Sequence, residues 1–399
     1  MSQLTWHSLS LNPLAAFGIL LTLGVIGGQI ANRAGRLPAI TGYVLTGLII
    51  GPASLHLLNQ ELLSAADLFV NLALGLALFE SGRRVDLHWL RVERTLLLTT
   101  LCYCLAVFAA LCALLLQGGL GWQASSMMAA LGMATSPIVI LEMLRETRAE
   151  GQVSERLTTA TALSSVLSVI VFAIALSSAH LQNQHSAEDA ILSPAWLILG
   201  SCLLGLLAGL LAIALNRWLG SQQRQRQTVL LFGLIALLVG LSVMLNVLPS
   251  LALLVFGLAT RNLRGGHTVS EPGLLSSSHF FFVAFFVAAG AQLAPQALAN
   301  HWPLALAYLL LRSAIPMLCW WLLAPQNCLS RQRGLWLGLA LNPLSGGSAM
   351  LLGMSTLALG ADASAFSGSM MAVFVISELA GPLLTRLALR RAGDIPSED

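Results

Sequence analysis

The sequence predicts an all-α polytopic membrane protein of about thirteen transmembrane helices, built as inverted six-helix repeats with two broken, crossing helices. Three observations carry that prediction. Apolar residues make up 57% of the chain and charged residues only 9%. All twenty basic side chains are arginine, and nineteen of them fall in alternating loops between apolar stretches. Two of those stretches carry helix breakers at corresponding places in the two halves.

A helix needs roughly 20 apolar residues to cross a bilayer, and most of the stretches reach that length. Segment 1 covers about 13–31 and is followed by Arg33 and Arg36. No basic region precedes it, so it reads as an anchor rather than a leader. Segments 2 (37–55) and 3 (62–81) lead to Arg83, Arg84, Arg91 and Arg94. Segments 4 (95–116) and 5 (122–144) lead to Arg145, Arg148 and Arg156. Segments 6 (157–179) and 7 (193–215) lead to Arg217, Arg224 and Arg226. Segments 8 (228–246) and 9 (247–262) end near Arg261 and Arg264, segment 9 being short. Segments 10 (274–296) and 11 (301–324) lead to Arg331 and Arg333, and segments 12 (332–358) and 13 (365–388) to Arg386, Arg390 and Arg391. The loops after even-numbered segments hold no arginine. By the positive-inside rule, the N-terminus lies outside and the C-terminus in the cytoplasm of a bacterial inner membrane.

The net charge of +3 is spread over seven loops, which excludes a nucleic-acid partner. The six cysteines lie in or beside apolar segments without metal-ligand spacing, and read as packing residues. With no nucleophile–base pair or nucleotide loop, neither an enzyme nor a cofactor is expected.

Segment 5 contains Gly132-Met133-Ala134-Thr135-Ser136-Pro137, and segment 12 contains Asn342-Pro343-Leu344-Ser345-Gly346-Gly347. Proline removes a backbone donor and clashes with the preceding turn. In lipid such a break persists only where protein or a water-filled cavity satisfies the freed groups. With segment 7 as a linker, each break falls in the fifth helix of its half. One half starts outside and the other inside, so the repeat is inverted. Paired breaks of this kind point to a transporter's binding site.

Several stretches resemble the monovalent cation/proton antiporter superfamily, and its sodium/proton exchangers in particular. They are Arg36-Leu37-Pro38-Ala39-Ile40-Thr41-Gly42-Tyr43, Leu78-Phe79-Glu80-Ser81-Gly82-Arg83-Arg84, Ala134-Thr135-Ser136-Pro137, Phe285-Phe286-Val287-Ala288-Ala289-Gly290, Leu311-Arg312-Ser313 and the second break. The resemblance implies scaffold and dimer helices over 13–81 and 228–296, moving core helices over 95–179 and 301–388, and a linker helix over 193–215. It also implies a homodimer that exchanges a monovalent cation, Na+ or K+, for protons.

The departures from the pattern bear on chemistry. Where the superfamily carries an Asn-Asp or Asp-Asp pair, this chain has Ser164-Ser165. Ala160 stands at the exchangers' neutralising glutamate, and Ser136 at the aspartate of Thr-Asp-Pro. Serine offers a lone pair to a cation but does not titrate near neutral pH. Arg312, meanwhile, stays charged at mid-membrane, and an unpartnered charge there costs on the order of 2.5 kcal/mol or more. Glu378 is the carboxylate nearest that depth. It reads as an ion-pair partner locking segments 11 and 13, as a displaced proton carrier, or as a group that does not touch Arg312. The expected site is therefore Thr135, Ser136, Pro137, Ser164, Ser165, Arg312, Asn342, Ser345 and Glu378. An alternative keeps the fold without cation/proton exchange, with an anion held at Arg312 or the chain serving as a transport-inactive partner protein.

Overall fold

A lipid-facing backbone must satisfy its own polar groups, and long apolar runs do so as helices. The computed structural model describes residues 13–396 apart from 36, 56–59, 89–92, 184–186, 220–223, 264–278, 294 and 345–362. The first repeat comprises α1 (Pro13–Gly35), α2 (Ala39–Ile50), α3 (Gln60–Arg84), α4 (Arg94–Gln117), the half-helices α5 (Trp122–Met133) and α6 (Pro137–Thr147), and α7 (Gln152–Asn183). The next helix is α8 (Ala187–Leu219). The second repeat comprises α9 (Arg224–Met244), α10 (Pro249–Asn262), α11 (His279–Gln292), α12 (Pro295–Leu323), the half-helix α13 (Arg331–Ala340) and α14 (Ala363–Ala392). Each apolar segment of the sequence falls on helix where it is described, and the two predicted breaks are real at 134–136 and from Leu341 onward.

Among the described residues six helices are long and apolar enough to cross a membrane: those within 94–117, 152–176, 195–218, 226–244, 301–323 and 367–392. Their outward faces remain apolar. On α8, Leu199, Leu203, Leu207 and Leu210 are all exposed, a pattern that suits lipid rather than water.

The helix contacts repeat under a two-fold relation between the halves. α2 packs on α11 as α10 packs on α3, and α4 packs on α5 as α12 packs on α13. α5 meets α7 as α13 meets α14, while α4 and α12 meet each other across the axis. Glycine makes the first of these equivalences close. A Cβ on Gly257 would strike the Phe79 carbonyl and one on Gly82 the Leu254 carbonyl. At the matching crossing, a Cβ on Gly47 would strike Val287 and one on Gly290 would strike Val44. Close backbone approach through small residues is the usual source of helix packing in lipid, where no hydrophobic drive operates.

Polar ties close the arginine-rich ends. Arg261 pairs with Asp86 at 3.2 Å, and the Asn262 amide donates to the Val85 carbonyl at 2.9 Å, joining α10 to α3. Both carboxylate oxygens of Glu146, at the end of α6, accept the Ala39 amide at 3.1 Å and cap α2. The Asp394 carboxylate accepts the Ser154 amide and hydroxyl, each at 2.8 Å, in the first turn of α7. The Glu146 and Asp394 contacts satisfy donors that a helix start leaves open and place negative charge at its positive end.

Candidate functional site

The two breaks meet. Thr135 and Leu344 form an isolated antiparallel bridge, and the Ser136 amide donates to the Pro343 carbonyl at 2.9 Å. The Thr135 hydroxyl donates to the Leu341 carbonyl at 2.9 Å. On the far side, the Leu344 amide donates to the Ser377 hydroxyl of α14, also at 2.9 Å. Ser136 starts α6 as its N-cap, accepting from the Val139 amide at 3.4 Å, and Pro137 takes the first helical position. Proline costs least there, because that amide would lack an intrahelical partner in any case.

The breaks free carbonyls at the C-terminal ends of α5 and α13, and side chains from three other helices reach them. Arg312 on α12 is 3% exposed. Its Nε donates to Gly132 at 2.8 Å, and its Nη2 donates to Ala134 at 2.7 Å and Pro343 at 3.3 Å. Its Nη1 donates to the Asn342 carbonyl. Tyr308, one turn earlier, donates to Met128 at 2.7 Å. From α7, Ser168 donates to Ala130 at 2.7 Å, and from α14, Thr385 donates to Ala340 at 3.1 Å. The Asn342 side chain donates in turn to the Ser313 hydroxyl.

Charge arithmetic explains why Arg312 tolerates this depth. The C-terminal end of a helix carries roughly half a negative elementary charge. Two such ends converge on one guanidinium, so their sum is close to the charge they surround. The expected ion pair with Glu378 is not formed. The Arg312 donors turn to backbone carbonyls instead. A guanidinium has five N–H donors, and four donations to carbonyls leave little with which to grip an anion.

The serine pair of α7 lies against the first break. Ser164 accepts the Thr135 amide at 3.4 Å and donates to the Thr161 carbonyl at 3.0 Å. Ser165 reaches the Thr135 carbonyl at 3.2 Å and the Thr161 carbonyl at 2.9 Å. Thr135, Ser136, Pro137, Ser164, Ser165, Arg312 and Asn342 are thus gathered at one buried place. Ser345 lies outside the described residues. Glu378 is buried beside Ser377, and its Oε2 has no hydrogen-bond partner among the described residues.

Sequence reasoning missed Tyr308, Ser168, Ser377 and Thr385. Tyr308 carried a usable signal, since it stands four residues before Arg312 and shares its helix face. The others are single hydroxyls in apolar helices, with nothing local to mark them.

The family model described as the transmembrane sodium/hydrogen exchanger matches residues 18–390. The structure at pH 8 of the sodium proton antiporter MjNhaP1 from Methanocaldococcus jannaschii is similar, with a TM-score of 0.72 at 18% identity, covering 97% of this chain and 99% of that one. An electron-microscopy structure of the same antiporter gives a TM-score of 0.66 at 17% identity, covering 95% and 94%. At these identities the likeness shows the fold alone. No curated protein matches the sequence.

Proposed function

The chain belongs to the sodium/hydrogen exchanger family, and from that premise we propose that it exchanges a monovalent cation, Na+ or K+, for protons across a bacterial inner membrane. Members of this family are transporters rather than enzymes. The observation that carries the reading is the crossing itself, in which half-helices from opposite repeats meet at Thr135 and Leu344. Hydroxyl and carbonyl oxygens of Thr135, Ser136, Ser164, Ser165 and Asn342 are the cation's ligands in this reading, and Ser345 extends the set. Hydroxyl oxygens keep a lone pair for a cation while donating to a carbonyl.

In the same reading, α4–α7 and α12–α14 form the moving core. Helices α1–α3 and α9–α11 form the scaffold and the homodimer contact, with α8 as the linker. The arginine-bearing loops lie in the cytoplasm, the N-terminus outside and the C-terminus inside.

A second reading draws on Arg312. Its guanidinium already occupies carbonyls that a broken-helix transporter offers to its ion. On that reading the chain keeps the fold, lacks exchange and works through a partner protein. An anion at Arg312 is the weaker form of this alternative, because most of the donors are committed. Proteoliposome flux with an internal pH dye separates the readings, with sodium, potassium and chloride tested in turn. Cation-dependent proton movement supports exchange. A chloride response alone supports the anion form, and silence with every ion supports the non-transporting form.

A further inference from the structure

Exchange for protons needs a group that is negative in one half of the cycle and neutral in the other. None of the side chains that join the two breaks supplies one: Thr135, Ser136, Ser164, Ser165 and Asn342 do not titrate near neutral pH, and Arg312 stays charged. Glu378 is a carboxyl group that the crossing leaves unused. It is 7% exposed, and its Oε2 is without a hydrogen-bond partner among the described residues.

Its place on α14 is set by its neighbours. The Ser377 hydroxyl receives the Leu344 amide, Gly381 backs onto Pro343, and Thr385 donates to the Ala340 carbonyl. These residues recur every four positions and press on the second break. Glu378 precedes Thr385 by one heptad, which brings it back to within about 20° of the same helix face. The carboxyl group therefore belongs to the face of α14 that holds the break, one residue from the hydroxyl that caps the bridge.

Several ionisable groups lie on the elements packed against α14. They are His301, Tyr308, Arg312 and Cys319 on α12, Arg331 and Arg333 on α13, Tyr43 on α2, Glu142, Arg145 and Glu146 on α6, and Glu155, Arg156 and His180 on α7, while α14 itself carries Arg386, Arg390 and Arg391. Arg156 pairs with Glu93, Arg145 with Glu142, and Arg312 with carbonyls. Among the described residues no ion pair reaches Glu378. A permanently ionised carboxylate without a partner is among the costliest groups to bury, and a glutamine or leucine would fill the same volume for less.

We infer that Glu378 is the proton-binding carboxyl of this chain, placed beside the second break instead of on α7. It takes one proton from water on one side to become the neutral acid, and returns that proton to water on the other side. The carboxylate form leaves one negative charge for the cation to balance. The inference rests on the exchange reading above.

Glu378→Gln and Glu378→Asp are compared with wild type in proteoliposomes under imposed sodium or potassium gradients, with thermal melting as the check on folding. The expected result is cation-driven proton flux in wild type, loss of it to the level of empty liposomes in Glu378→Gln, and partial flux with a displaced pH profile in Glu378→Asp. Wild-type flux in a folded Glu378→Gln overturns the inference and leaves the exchange reading standing. If wild type itself carries no flux, the exchange reading falls, and infrared difference spectra between acid and alkaline pH decide the inference. A protonated-carboxyl band present in wild type and missing from Glu378→Gln sustains proton binding at Glu378 and overturns its part in transport. The same band in both proteins overturns the inference. If Glu378→Gln does not fold, Glu378→Asp decides by the same readouts, an unshifted pH profile and an unshifted carboxyl band overturning the inference.

Discussion

Replacing Arg312 by methionine keeps an unbranched apolar stem, though a shorter one, and removes every donor. Four carbonyls, those of Gly132, Ala134, Asn342 and Pro343, then lose their partner in a buried place. An unsatisfied buried acceptor costs about 1–3 kcal/mol, so the low end for four is about 4 kcal/mol. Removing the buried charge returns part of that, because a desolvated guanidinium carries its own penalty of a few kcal/mol. The carbonyl loss prevails here, because the two helix ends already offset the charge. A net loss of about 2–4 kcal/mol is expected. Arg312→Lys keeps the charge, but its donors radiate from a single atom and cannot span both breaks. It should fall between wild type and Arg312→Met. Equilibrium unfolding in mixed micelles, followed by circular dichroism, gives the order. Guanidinium ion at sub-denaturing concentration should stabilise Arg312→Ala and leave wild type unchanged. A methionine variant within about 0.5 kcal/mol of wild type, the usual additivity error, would refute the clasp.

Three further outcomes follow from the same contacts. In a cycle of Arg312→Met, Glu378→Gln and the double variant, the unfolding losses should add to within about 0.5 kcal/mol, and a larger coupling would restore the ion pair. Ser165→Ala should cost about 1 kcal/mol in unfolding free energy, since among the described residues the hydroxyl's contact with the Thr135 carbonyl is the one bond it makes outside its own helix. No loss would show that α7 does not hold the break through this residue. Gly257→Leu should reduce folded yield in detergent far more than Gly233→Leu, because the first site faces the Phe79 carbonyl and the second open space. Equal yields would argue against the close α3–α10 crossing.

Hydropathy located the helices because each membrane segment carries its own signal. The breaks at Thr135-Ser136-Pro137 and Asn342-Pro343-Leu344 were legible for the same reason, since proline acts on its own turn. Arg312 stood out as the one basic residue away from a loop, so the sequence alone marked it as needing a partner. Which partner it found was a tertiary matter. Every residue carries a carbonyl, and no letter in the sequence says that those of Gly132, Ala134, Asn342 and Pro343 are left open and brought to one point. Counting carboxylates therefore led to Glu378, while the folded chain answered the charge with the ends of two helices. The pairing of Gly82 with α10 and of Gly290 with α2 was equally invisible. Such contacts depend on where distant helices come to lie, and in lipid that is decided by the close fit of whole surfaces rather than by the polarity of any one residue.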